Sequence, residues 1–224
     1  MSPKGLFKDI DLEDIEDLLD QISNSFSIEF VYGDFNHVKT FGEFCDVIVG
    51  KIRGENSDDC TSQQAFYKLK QAISKEFGWP VDMISTKLLL TEIFPKKDRR
   101  SKVKQLENHL GFKLDLLVAP YWVTCSLALL LLSSFGMFFF SWKIALVALG
   151  LSIFLLSLSN SLGNHLALET LGQLSKSVTN KHYTKVRRKE NTVNRREVEE
   201  IIKDWFIEVF CIEREDLNKE TQLI

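Results

Sequence analysis

The sequence is poor in the residues that metal and covalent chemistry most often uses. It has four cysteines, four histidines and four prolines among 224 residues. Cys45, Cys60, Cys125 and Cys211 form no C-x-x-C pair. That excludes a disulfide framework and a zinc pattern, and reduced thiols in a cytosolic setting are expected. His37, His109, His165 and His182 have no H-x-x-x-H spacing, so no metal-ligand set is expected. P-loop, G-x-G-x-x-G and G-x-S-x-G motifs are missing, and with them the usual signatures of nucleotide binding and serine hydrolysis. No catalytic, cofactor-binding or metal-binding residue is therefore nominated. The opening MSPKGLFKDI has no apolar run of the signal-peptide type, and Ser2 stands where N-myristoylation needs glycine, so neither feature is expected. The formal net charge of −3 hides acidic ends. Residues 1–54 are rich in Asp and Glu, as is the segment from Glu197. Nucleic-acid binding, which needs clustered Lys and Arg on the binding face, is not expected.

Long apolar runs are abundant in one place. Residues 116–162 contain no Asp or Glu and a single basic residue, Lys143. A bilayer's hydrocarbon core takes about 20 apolar residues as a helix. The stretch is about twice that, which predicts a two-helix transmembrane hairpin. Aromatic residues Phe138, Phe139, Phe140 and Trp142 surround Lys143, the chemistry of a headgroup region, so the turn is expected within 134–143. Ala148 and Ser152 offer a small-residue face for helix packing. Basic residues flank the hairpin: Lys96, Lys97, Arg99, Arg100, Lys102, Lys104 and Lys113 before it, and Lys176, Lys181, Lys185, Arg187, Arg188 and Lys189 after it. The positive-inside rule then places both termini in the cytoplasm, with the protein in a cell inner membrane. The expected partners of the flanks are the lipid bilayer and its anionic head groups.

The remaining segments read as helices. Residues 9–25 place Ile10, Ile15, Leu18, Leu19 and Ile22 at helical spacing with acids opposite, and Asp9 or Asp11 as N-cap. Residues 26–32 alternate and predict a short strand. Thr40 with Glu43 is a capping box opening a helix that buries Phe41, Phe44, Val47 and Ile48. Residues 54–59 read as a linker. Thr61 or Ser62 is expected to cap the next helix, and Gly78 and Pro80 end it. A basic connector at 185–196 leads to a helix with Val198, Ile201, Ile202, Trp205 and Phe206 inward.

Several of these segments echo one another. Thr40-Phe-Gly-Glu-Phe-Cys matches Thr170-Leu-Gly-Gln-Leu-Ser, and NSFSIEF matches NHLGFKL. The helix at 195–210 with Asp216-Leu217 and Thr221 follows the same order as the helix at 61–77 with Asp82-Met83 and Thr86. This order resembles acyl carrier proteins. The resemblance implies two small carrier-like units: a permuted one from residues 1–54 and 195–224, and a second from 61–115 and 166–183, interrupted by the hairpin at 116–162. The expected fold class is all-α, with two carrier-like helical units and a transmembrane hairpin. In a working carrier, a serine opening the second helix receives the phosphopantetheine arm. The corresponding positions fall at about Leu12 and near Lys96, and Ser101 lies at another offset. The resemblance therefore implies a non-enzymatic, membrane-anchored interaction module that carries no phosphopantetheine. Its acidic 9–20 face would suit a protein partner. The alternatives are an active acyl carrier of lipid or fatty-acid metabolism and an immunity or regulatory membrane protein. A homodimer that exchanges 197–224 would have the same sequence signature.

Overall fold

The structure, a computed structural model, describes residues 10–136, 141–189 and 191–223. Among these the fold is all-α, with a few two-residue strands. The helices are α1 (Leu12–Phe26), α2 (Phe41–Lys51), α3 (Thr61–Phe77), α4 (Leu90–Ile93), α5 (Arg99–Leu110), α6 (Tyr121–Gly136), α7 (Trp142–Leu162), α8 (Leu171–Lys181), α9 (Tyr183–Val186) and α10 (Arg195–Phe210). The strands are β1 (Glu55–Asn56), β2 (Leu117–Val118), β3 (His165–Leu166) and β4 (Thr192–Val193). β1 pairs with β4 in parallel, and β2 with β3 antiparallel. The chain divides into two compact units, Met1–Leu69 with Ser175–Ile224, and Lys70–Leu174.

In the first unit, α1, α2 and α10 pack around one apolar core. Leu18, Ile22 and Phe26 from α1 meet Phe41, Phe44 and Ile48 from α2 and Val198, Ile202, Trp205 and Phe206 from α10. These residues recur at three- and four-residue spacing, so each helix turns one stripe inward. Aromatic rings fill the centre. Phe26 lies edge-on to Trp205 at 5.8 Å, and Phe206 edge-on to Phe41 at 5.0 Å and to Phe44 at 5.1 Å. Such arrangements align positive ring edges with negative ring faces.

The start of α2 is held by the capping box anticipated from its sequence. The Glu43 N–H donates to Thr40 Oγ1 at 3.2 Å, and Glu43 Oε2 accepts from the Thr40 and Lys39 N–H groups at 3.1 and 2.7 Å. The chain end then docks alongside. Phe41 N–H donates to Thr221 O at 2.9 Å, Gly42 N–H to Lys219 O at 2.9 Å, and Leu223 N–H to Lys39 O at 2.7 Å. Both sides of this bridge belong to one chain.

The second unit repeats the arrangement. The Gln173 N–H donates to Thr170 Oγ1 at 3.3 Å, and Gln173 Oε1 accepts from Thr170 and Glu169 N–H at 3.1 and 2.8 Å. Leu171 N–H donates to Leu88 O at 2.9 Å, Gly172 N–H to Thr86 O at 2.8 Å, and Leu90 N–H to Glu169 O at 2.8 Å. A β-carbon added at Gly42 would lie 2.9 Å from Lys219 O, and one at Gly172 the same distance from Thr86 O. Glycine therefore stands at both positions because a backbone crosses directly over the helix start. The pairing also corrects the register read from Thr86 and Thr221. Leu223 corresponds to Leu90, and Thr86 to Lys219.

Four other local expectations change. Residues 26–32 form no strand. Phe26 ends α1, and Ser27 turns the chain at φ 53°. Ile28 is buried and Phe30 packs against Phe35 with the two rings tilted, so apolar alternation here serves packing in an irregular segment. Asp11 precedes α1 without a side-chain cap bond, and Asp9 lies outside the described residues. The 54–59 linker contributes β1, which joins the basic connector through β4. Neither Thr61 nor Ser62 supplies the α3 cap. Glu197 does, accepting from Thr61 N–H at 3.0 Å and Ser62 N–H at 3.1 Å, a favourable place for a carboxylate.

Candidate functional site

The second unit's distinctive feature is its apolar helix pair, α6 and α7, which pack on each other. Ala145 and Ser152 are buried along one seam of α7, and Ser134 on α6. Ser152 Oγ donates to its own helix at Ala148 O, 2.7 Å away, so its hydroxyl needs no outside partner. The opposite faces are apolar and exposed, with Leu129, Leu132 and Phe135 on α6 and Ile144, Val147, Leu151 and Phe154 on α7. α7 is long and apolar enough to cross a membrane over Trp142–Ser159, and only 11% of that window is buried. α6 is a shorter apolar helix. The expected turn at 134–143 falls partly on 137–140, outside the described residues. α6 ends at Gly136 and α7 begins at Trp142.

The base of this helix pair is tied down by the basic run before it. Arg99, only 4% exposed, donates through Nε to Phe94 O at 2.9 Å and through Nη1 to Asn164 O at 2.7 Å. Arg100 Nε donates to Gly163 O at 3.2 Å, and Asn164 Nδ2 to Lys96 O at 3.2 Å. The chain entering α6 is stitched to the chain leaving α7 through the Leu117–Leu166 pairing and the Ala167 N–H bond to Leu116 O at 2.9 Å. Arginine suits this clamp because its planar fork reaches two carbonyls at once. Lys96, Lys97, Lys104 and Lys113 remain exposed around it. A cavity of about 730 Å³ opens here, lined in part by Arg100, Lys104 and Lys113 with Glu107 and Leu117. The sequence reading gave all these cations one role. The structure separates Arg99, which is structural, from the exposed lysines.

The positions that a carrier would use are also defined. Leu12 is the first residue of α1 and is 76% exposed. Lys96 lies exposed in the turn before α5, and Ser101 is exposed in its first turn. α1 ends at Ser27 with φ 53° and α5 at Gly111 with φ 77°, which sets Leu12 and Lys96 in matching places. Asp11, Glu13, Asp14, Glu16, Asp17 and Asp20 are all exposed. No group of three His, Cys, Asp or Glu among the described residues is placed to hold a metal ion. His109 is paired instead with Glu76, Nδ1 to Oε1 at 2.7 Å. Hydrogen bonds from Gln105 and then His109 hold the Glu76 carboxyl below its ordinary range. Cys45 is buried, and desolvation pushes its thiol up to about 12, while Cys60 and Cys211 are exposed.

Sequence reasoning missed Arg187, which it grouped with the solvated connector. Arg187 is only 9% exposed. Its Nη1 donates to Thr61 Oγ1 at 2.7 Å and Tyr183 Oη at 3.2 Å, and its Nε and Nη2 to Thr192 Oγ1 at 3.1 and 3.0 Å. The one local signal was Tyr183, a helical turn earlier, over whose ring the guanidinium sits at 5.6 Å. Comparison with protein-family models finds no match, and neither does comparison with curated proteins or with solved structures.

Proposed function

We propose that this chain is a non-enzymatic, membrane-anchored interaction module built from two carrier-like helical units that hold no phosphopantetheine. In this reading α6 and α7 form a transmembrane hairpin of a cell inner membrane. Both chain termini lie on the cytoplasmic side, where exposed Lys96, Lys97, Lys104 and Lys113 meet anionic lipid head groups. The observation that carries the membrane part is the exposed apolar surface of α6 and α7, far more than a solvated pair of helices tolerates. The exposed acidic side of α1 is the surface offered to a basic protein partner.

Leu12 and Lys96 support the reading of an empty carrier, since neither side chain has a hydroxyl to esterify. The competing reading, an active acyl carrier, has one residue in its favour, the exposed Ser101 in α5. Co-expression with a broad-specificity phosphopantetheinyl transferase, followed by intact-mass and peptide spectrometry, separates the two. The expected product is the unmodified chain, recovered in membranes and resistant to alkaline carbonate extraction. A phosphopantetheine adduct on Ser101, or on any serine, overturns the empty-carrier reading. Release by carbonate overturns the integral-membrane reading.

A further inference from the structure

The first unit contains a cavity of about 680 Å³ that the interaction-module reading does not use. Among the described residues its charged lining is lopsided: Lys51, Arg53, Arg187 and Lys189 against Glu29. Lys51 is already neutralised by Asp34 at 2.7 Å and donates to Glu29 O at 3.2 Å. The other three cations have no carboxylate within ion-pair distance among the described residues.

Arg187 is the decisive one. A buried guanidinium without a counter-charge is costly, and among the described residues this one is held by hydroxyls, a carbonyl and the face of the Tyr183 ring. Thr61, Thr192 and Tyr183 surround it, and Asp59 contributes its backbone oxygen at 3.5 Å. The hydroxyls are themselves fixed. Thr192 Oγ1 donates to Lys189 O at 2.9 Å, and Tyr183 Oη accepts from Asn194 N–H at 2.9 Å. The fork is thus oriented but not discharged. A guanidinium carries five N–H donors. Nη2 makes a single contact, to Thr192, so one of its hydrogens remains for a ligand. Arg53 and Lys189 are exposed and line the same cavity.

We infer that this cavity is an anion-binding site for a phosphate-bearing ligand, with Arg187 at its floor and Arg53 and Lys189 at its rim. Among the described residues, three cations facing one acid match a group with more than one negative charge. The remaining Nη2 hydrogen of Arg187, held in place by the hydroxyls, matches one phosphate oxygen, and Arg53 and Lys189 supply cations for the others. The inference does not depend on whether the units are carriers or whether α6 and α7 cross a bilayer. The phosphate can belong to a soluble metabolite or to a lipid head group, and the test distinguishes these.

The test is calorimetric titration of the full chain in a non-ionic detergent with inorganic pyrophosphate in one arm and short-chain phosphatidic acid in the other. Binding in the first arm assigns a soluble ligand, and binding in the second alone assigns a head group. In either case the Arg53→Ala/Lys189→Ala double variant, which leaves the buried network intact, should weaken binding at least tenfold. Arg187→Lys should weaken it further while the circular dichroism spectrum is retained. Lys203→Ala, outside the cavity, serves as the control and should bind as the wild type does. The inference is overturned if neither probe binds, or if the double variant binds as well as the control.

Discussion

The two repeats share a backbone pattern but fill it differently. At the position where α10 carries Trp205, α3 carries Ala72, and both are buried at 2% exposure. Where α2 opens on Thr40 and Glu43, α8 opens on Thr170 and Gln173, with the same hydrogen bonds. One repeat is continuous from α1 to α2, while the other accommodates α6 and α7 between α5 and α8. What recurs is backbone geometry at the helix start, and what varies is core volume, charge and inserted length.

Trp205→Ala should cost about 3–5 kcal/mol, as expected for a large side chain lost from a packed core. Ala72→Gly should cost only about 1 kcal/mol, mainly in helix propensity. Urea unfolding in detergent, followed by circular dichroism, reads both, and equal losses would deny that the two cores differ. Gly42→Ala and Gly172→Ala should each cost about 1–3 kcal/mol, because a methyl group meets a backbone oxygen that cannot move independently. Here similar losses are expected, and a neutral result at either glycine would mean that its crossing strand is not held. Thr40→Ala and Thr170→Ala should each cost about 1 kcal/mol by the same measurement.

The smallest effect is a pH dependence confined to one box. The N–H groups of Lys39 and then Thr40 hold the Glu43 carboxyl below its ordinary value of 4.5. A depressed carboxyl contributes stability that is complete above the ordinary value and is lost as pH falls through the lower folded value. Gln173 has no such titration. Glu43→Gln should therefore make the acid limb of the stability profile shallower, whereas Gln173→Glu should steepen it. An unchanged profile in both variants would show that the boxes are not electrostatically distinct.

How much of this was legible in the sequence depended on distance along the chain. The Thr40–Glu43 box spans three residues, and its signal is wholly local, so it was readable. So was the inward stripe of α10, because Val198, Ile202, Trp205 and Phe206 repeat with the helix. The Glu197 cap on α3 was not readable, since donor and acceptor lie far apart and Thr61 and Ser62 were themselves plausible caps. The register between Thr221 and Leu88 was misread for a similar reason. Short motifs align on shared letters, whereas the structure aligns on which backbone oxygen the helix start can reach. Residues 26–32 misled because alternation reports burial on alternate sides, which an irregular segment under a core also provides. Arg187 was hidden among neighbouring cations that differ from it only in burial.

The proposed membrane topology rests on the apolar helix pair and the basic flanks, and cysteine sidedness tests it. Cys60 and Cys211 are exposed, whereas Cys45 is buried with its thiol pushed up to about 12, so it should resist reagent on either side. The full chain is expressed in a bacterial host, and spheroplasts are treated with a membrane-impermeant maleimide before and after lysis, with labelled peptides mapped by mass spectrometry. The expected result is no labelling of Cys60 or Cys211 in sealed spheroplasts and labelling of both after lysis. Labelling of either cysteine in sealed spheroplasts, or recovery of the protein in the soluble fraction, would contradict the proposed topology.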